Sequence, residues 1–179
     1  ENLEIIKEIA GIKNIKIQVG GGIRDINKIK RLFSYNVDRV IVGTAAITNN
    51  IFKLELKNNF PIEKIIFGLD FKIIDEVPLL SVNGWTENTN INLFDYIKEN
   101  YWIKNILATD ISLDGTLNGP NIDIYKQILT NKDLNLIASG GIGSIDDISK
   151  LQLIKSQECV VGKAIYEEKI SLLELRNAN

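Results

Sequence analysis

"VGGGIRD", Val19 to Asp25, is the stretch whose reading decides the fold. An apolar run from Ile15 ends in three successive glycines. A charged pair, Arg24 and Asp25, then leads into "INKIKRLFSYN", whose apolar residues recur three or four apart as on one face of a helix. A strand that stops in bare backbone and turns into a helix start presents free N–H donors with no Cβ in the way. That arrangement suits an anion, phosphate above all. Taken alone, such glycines are equally well explained as a tight strand-to-helix turn.

The motif occurs twice. Gly21-Gly22-Ile23 is matched by Gly140-Gly141-Ile142, 119 residues on, and "IVGTAAI" (41–47) is matched by "VVGKAIY" (160–166) at the same spacing without a gap. Strand, Gly-Gly turn, helix, strand and second Gly turn therefore repeat in register. A period this long is a duplicated half-domain and not a solenoid. Two copies shift the reading of the glycines toward two phosphate sites, with Gly21, Gly22, Gly43 and Thr44 in one and Gly140, Gly141, Gly162 and Lys163 in the other. Two phosphates imply a long substrate phosphorylated at both ends.

The runs "IKIQVG" (15–20), "RVIVGT" (39–44), "KIIFGLD" (64–70), "NILATD" (105–110), "NLIASGG" (135–141) and "ECVVGK" (158–163) are apolar on both faces, as buried parallel strands are. Alternation with helical patterns makes the chain α/β. The exception is "FKIIDEVPLLSVNGW" (71–85), read as a hairpin inserted after the third visible strand. No low-complexity linker divides residues 1–179, so one domain is expected. By the repeat, the partners of the strands ending at Asp70 and Asp110 would fall upstream of residue 1. Eight strands in two equal halves make a (β/α)8 TIM barrel, a fold of about 250 residues. The expectation is such a barrel, built of two half-barrels, with its first two strands and first helix missing. The hairpin then follows its fifth strand. The absence of methionine fits a chain that starts inside a longer one.

Composition excludes several functions. Net charge is −2, with no basic footprint or interleaved aromatics for nucleic acid. No apolar run is long enough to span a bilayer, and the opening "ENLEIIKEIA" reads as an amphipathic helix and not a signal peptide. One cysteine and no histidine leave no ordinary zinc site and no internal disulfide. A reducing cytosol is the simplest home for a chain with one cysteine, and with no histidine any acid–base chemistry must use carboxylates, Lys, Tyr or Cys. Asp70, Thr109, Asp110 and Asp114 lie at or just beyond strand ends, where barrel enzymes carry their chemistry. Asp114 before Gly115 reads as readily as a turn former. Asp70 is followed by no helix-start pattern, which favours chemistry.

Together "VGGGIRD", "RVIVGTAAI", "SVNGWTEN", "TDISLDGTLNGPN", "ASGGIGSIDD" and "VVGKAIYE" resemble the phosphoribosylformimino-aminoimidazole carboxamide ribotide isomerases of histidine biosynthesis, over essentially the whole chain. The resemblance implies an Amadori rearrangement of an aminoaldose to an aminoketose, without cofactor or metal. It makes Asp70 the proton donor, with Asp114 as an alternative and Thr109 beside it. It puts the proton acceptor on a first strand that this sequence lacks, so the chain alone is expected to be inactive. Arg24, Trp85, Asn88 and Asp110 would touch substrate, Trp85 by stacking on a flat heterocycle. The plain alternative for Trp85 is a hydrophobic plug in the hairpin loop. Rival readings are the cyclase of the same pathway, an isomerase that also serves tryptophan synthesis, and a non-catalytic phosphate-binding fragment.

Overall fold

Capping and periodicity account for the helices of the first unit. The computed structural model describes residues 2–178, and the chain divides into Glu1–Gly68 and Leu69–Asn179. In the first unit α1 (Leu3–Ala10) is followed by β1 (Gln18–Gly20), α2 (Ile26–Ser34), β2 (Arg39–Val42), α3 (Thr44–Thr48) and α4 (Asn50–Asn59). A 3₁₀ turn at Ile62–Lys64 then opens β3 (Ile65–Ile74). Asp25 is extended, and its carboxylate accepts from Lys28 N to start α2; Asn49 does the same for α4 through Phe52 N. Ladders are parallel, Val19 opposite Val40 and Val40 opposite Ile65. Ile29, Leu32, Val40, Leu56, Ile65 and Ile66 are wholly buried, each contributing about 1.5–3 kcal/mol from the apolar surface removed from water.

The second unit takes up β3 and adds β4 (Val77–Val82), β5 (Glu87–Asn92), α5 (Leu93–Glu99), β6 (Asn105–Asp110), α6 (Ile122–Ile128) and β7 (Asn135–Ser139). It closes with α7 (Ile145–Leu153), β8 (Glu158–Cys159), α8 (Lys163–Tyr166) and α9 (Leu172–Asn177). The β6–β7 and β7–β8 ladders are parallel. Along the sheet the parallel strands follow one another in chain order, β1-β2-β3-β6-β7-β8. Sequential parallel strands alternating with helices make this an α/β fold of the (β/α)8-barrel class. No helix among the described residues is long and apolar enough to cross a membrane.

The duplication read from the sequence extends to backbone dihedrals. Helices α2 and α7 occupy positions 119 residues apart, and their N-caps, Asp25 (φ −148°, ψ 155°) and Ser144 (φ −148°, ψ 164°), share one conformation. Just beyond their C-termini, Asn36 and Lys155 sit in the left-handed region at φ 64° and 65°. Gly43 and Gly162 precede α3 and α8 at φ −107°.

Strand limits differ from the sequence reading in two ways. The runs 15–20 and 158–163 yield only Gln18–Gly20 and Glu158–Cys159. At the first, the Asp38 carboxylate takes Ile17 N in place of a ladder partner; at the second, Val160 N still donates to Ala138 O before the chain turns at Gly162. The third run does the opposite. It does not end at Asp70 but continues to Ile74, because Phe71 to Ile74 find antiparallel partners in Leu80 to Val77. The reversal uses Asp75 and Glu76, both left-handed at φ 49° and 66°, as a two-residue type I′ turn requires. Strand β5 then pairs with β4, with Ser81 opposite Asn88. Asp70 thus lies mid-strand, where the parallel part of β3 gives way to the antiparallel part.

Candidate active site

The second Gly-Gly turn is built by close backbone approach. Gly140 and Gly141 hold φ 98° and 82°. A Cβ on Gly140 would lie 2.7 Å from Asp110 O, and one on Gly141 would lie 2.1 Å from Gly119 O. Gly119 N donates to Gly141 O at 2.8 Å. The turn after β7 is therefore pressed flat against the loop after β6, and only glycine fits on the facing side. Around it lies a cavity of about 160 Å³ lined by Asp114, Gly115, Gly140, Gly141, Gly162 and Lys163, among others. Four sequence-assigned phosphate residues and one candidate acid thus share a single cavity.

The β6–α6 loop is anchored by a carboxylate. Asp110 ends β6 at 2% exposure. One of its oxygens accepts from Ser112 N at 3.0 Å and the other from Asn121 Nδ2 at 2.7 Å. Assigned to substrate contact from the sequence, Asp110 is here a buried brace that ties both ends of the loop. Asn121, which sequence reasoning missed, also caps α6 through Ile124 N. Thr109 is likewise buried, opposite Ser139 in the β6–β7 ladder. Beneath the loop the Tyr125 hydroxyl donates to Ser139 O. Burial raises the Tyr125 phenol well above the ordinary tyrosine range, and the charges of Asp110 and Asp114 add to the shift. Asp114 itself is exposed, at the tip of the loop.

Asp70 meets the hairpin. Trp85 Nε1 donates to Asp70 Oδ2 at 2.8 Å, across fifteen residues of chain. Asn83, Gly84 and Trp85 are all left-handed, at φ 54°, 65° and 72°. For a bulky aromatic this is a strained conformation. It is held by Trp85 N on Val82 O, by Thr86 Oγ1 on Asn83 O and by Asn83 Nδ2 on Glu87 Oε2. Trp85 is 45% exposed while its indole N–H holds the carboxylate. Trp85 is not a buried plug. Asn88 is engaged by Ser81 Oγ at 2.8 Å within the β4–β5 ladder.

The first unit carries the matching turn in looser surroundings. Gly21 and Gly22 are left-handed at φ 100° and 60°, yet a Cβ on Gly21 would meet nothing within 4 Å. A cavity of about 440 Å³ is lined by Gly20, Gly21, Asn27, Lys28 and Arg31 with residues of α1. Lys28 Nζ reaches Gly22 O at 3.1 Å. Gly43 and Thr44 are not among its lining residues, and Arg24 is exposed just before the α2 cap.

The Gly-Gly turn, the Gly162-Lys163 helix start and the Asp114-Gly115 loop thus surround one cavity. A family model described as "Histidine biosynthesis protein" matches residues 1–171. This chain belongs to that family. It is 44% identical over 183 residues to a Prochlorococcus marinus (strain AS9601) protein named 1-(5-phosphoribosyl)-5-((5-phosphoribosylamino)methylideneamino) imidazole-4-carboxamide isomerase, covering 98% of this chain and 69% of the relative. Relatives of the same name from Pelagibacter ubique (strain HTCC1062) and Clostridium acetobutylicum are 43% and 39% identical, with 97% of this chain covered in each and 72% and 71% of the relative.

Proposed function

We propose that the chain carries the aldose–ketose isomerase chemistry of its named relatives, an Amadori rearrangement of a bisphosphorylated aminoaldose in histidine biosynthesis. The observation that carries this is the cavity where Gly140, Gly141, Gly162 and Lys163 meet Asp114, in a chain over 40% identical to isomerases along nearly its whole length. The relatives' isomerase name favours this reaction over the cyclase alternative. One phosphate would be gripped by the second Gly-Gly turn with Gly162 and Lys163, the other by Gly21, Gly22, Gly43 and Thr44. Arg24 and Asn88 would add substrate contacts. The substrate is a small molecule, and a cytoplasmic monomer is the simplest form for the enzyme.

Asp70 would supply the proton for ring opening. The proton goes to the ring oxygen, the C1–O bond breaks, and the nitrogen lone pair forms the C=N bond of a Schiff base. Loss of the C2 proton to a base gives an enolamine, which tautomerises to the ketose. Trp85 holds Asp70 through its N–H, and its partly exposed ring would stack on a heterocycle. Asp114, at the rim of the phosphate cavity, is the second candidate for the acid. The base is the carboxylate that the resemblance assigns to a strand outside these residues, so turnover is expected only from a polypeptide that includes that strand. In such a polypeptide, Asp70→Asn should leave substrate binding within about threefold and lower kcat by about 10²–10⁴, the usual contribution of general acid–base catalysis. Wild-type kcat in the variant would remove Asp70 from the role and turn attention to Asp114.

A further inference from the structure

Lys163 joins two parts of the site that the function treats separately. Its Nζ donates to Gly115 O at 2.8 Å, across 48 residues, and lies 3.4 Å from Glu167 Oε1. Gly115 is the residue after Asp114, and all of Asp114, Gly115 and Lys163 line the second phosphate cavity. An ammonium has three donors. The Gly115 bond engages one, Glu167 is an ion-pair neighbour at 3.4 Å, and no other protein partner lies at the ammonium among the described residues. Lys163 and Glu167 side chains are about half exposed, so that ion pair contributes little and yields readily.

The loop from Ile111 to Asn121 is secured unequally. Its base is tied by Asp110 to Ser112 N and Asn121 Nδ2. Its far flank is tied by Gly119 N to Gly141 O. Its tip carries Asp114 and runs through Gly115 and Leu117, both left-handed at φ 71° and 61°. For Leu117 that conformation is intrinsically unfavourable. Within the tip, Thr116 N and Thr116 Oγ1 return only to Leu113 O. Leu113 N and Asp114 N return to Asp110 O at the base, and among the described residues the side-chain hydrogen bond that reaches the tip from outside the loop is that of the Lys163 ammonium to Gly115 O.

Resting on the phosphate reading of this cavity, we propose that Lys163 is a positioning residue that couples phosphate binding to the placement of Asp114. A phosphomonoester in the cavity takes the free donor of Nζ and draws the ammonium from Glu167 toward itself, while the Gly115 bond is retained. The same cation then bridges the anion and the Asp114 turn. The turn is held by an ordered ammonium in place of a half-exposed one, and binding of the substrate's phosphate end sets the carboxylate beside the reacting part.

The test is amide hydrogen exchange of Asp114 and Thr116, with inorganic phosphate as the probe. In the wild-type chain, saturating phosphate should slow exchange of both amides by at least threefold. Lys163→Met should exchange faster without phosphate and lose the phosphate response. Lys163→Arg should restore most of it, since a guanidinium can donate to both the anion and Gly115 O. Glu167→Gln should keep the full response. Circular dichroism matching wild type confirms that the variants fold. A Lys163→Met chain that responds to phosphate as wild type does would overturn the coupling, and so would a wild type that shows no response. Failure of the isomerase reading looks different: the response and its dependence on Lys163 would be intact in a longer polypeptide that turns over no aminoaldose.

Discussion

Gly22 and Gly141 occupy the same place in the two copies of the repeat and are both left-handed, at φ 60° and 82°. Their surroundings differ. A Cβ at residue 22 would meet only the flexible end of Lys28, at 3.8 Å, whereas at residue 141 it would lie 2.1 Å from Gly119 O and 2.8 Å from Gly119 C. Gly22→Ala therefore carries mainly the left-handed penalty, about 1 kcal/mol. Gly141→Ala carries that penalty and more. No rotamer change moves a backbone carbonyl, so the 117–119 segment must shift, at the about 1–3 kcal/mol typical of overpacking. The Gly119 N to Gly141 O bond is strained or lost, at about 1 kcal/mol. Gly141→Ala should then cost about 3–5 kcal/mol and Gly22→Ala about 1. At about 2–4 °C per kcal/mol for a chain of this size, the expected drops in Tm are about 6–20 °C and 2–4 °C. Urea and thermal melts followed by circular dichroism read both variants. Equal destabilisation would refute the argument, because it would mean that backbone dihedral alone, and not the packed β6–α6 loop, makes glycine necessary at residue 141.

Trp85→Phe keeps an aromatic face but removes the donor to Asp70; kcat should fall by about 10-fold, the worth of one hydrogen bond to a charged group, with KM changed less, and steady-state kinetics on the longer polypeptide would contradict this if kcat were unaffected. Glu76→Gly puts the residue that type I′ turns prefer at a left-handed position (φ 66°) and should stabilise the chain by about 0.5–1 kcal/mol; a lower urea midpoint would sink it. Tyr96 and Tyr125 are both raised above the ordinary tyrosine range, by burial first. The unfolded chain therefore loses these phenolic protons before the folded one, so their stabilisation is complete below about pH 10 and is lost as pH rises beyond it. The urea midpoint should fall from pH 9 to pH 11, and less so in Tyr125→Phe; identical losses in both proteins would exclude Tyr125 as a cause.

Much of the architecture was legible in residue order. The spacing of the two Gly-Gly turns places α2 and α7, with their Asp25 and Ser144 caps, in register, because a cap, a left-handed glycine and an apolar helix face are set by neighbours within a few residues. The same locality puts Gly140, Gly141, Gly162 and Lys163, which line the second cavity, within reach of the sequence pattern. Less legible was the end of β3. Its apolar pattern stops at Asp70, but pairing with β4 carries it to Ile74, and strand pairing is a property of two segments and not of one.

What residue order alone determined about this protein is its class, its duplication, and which residue types stand at each strand end. Only the tertiary structure decided what those residues touch. Asp110 and Asp114 belong to one short motif, yet the first is a buried brace and the second an exposed loop tip. The Trp85 indole finds Asp70, and Lys163 finds Gly115, across 15 and 48 residues. Gly22 and Gly141 share a motif and a dihedral but not a neighbour. The reason is physical: dihedrals and caps are governed by atoms a few bonds away, whereas burial and side-chain hydrogen bonds depend on partners that only the folded chain brings within 3 Å.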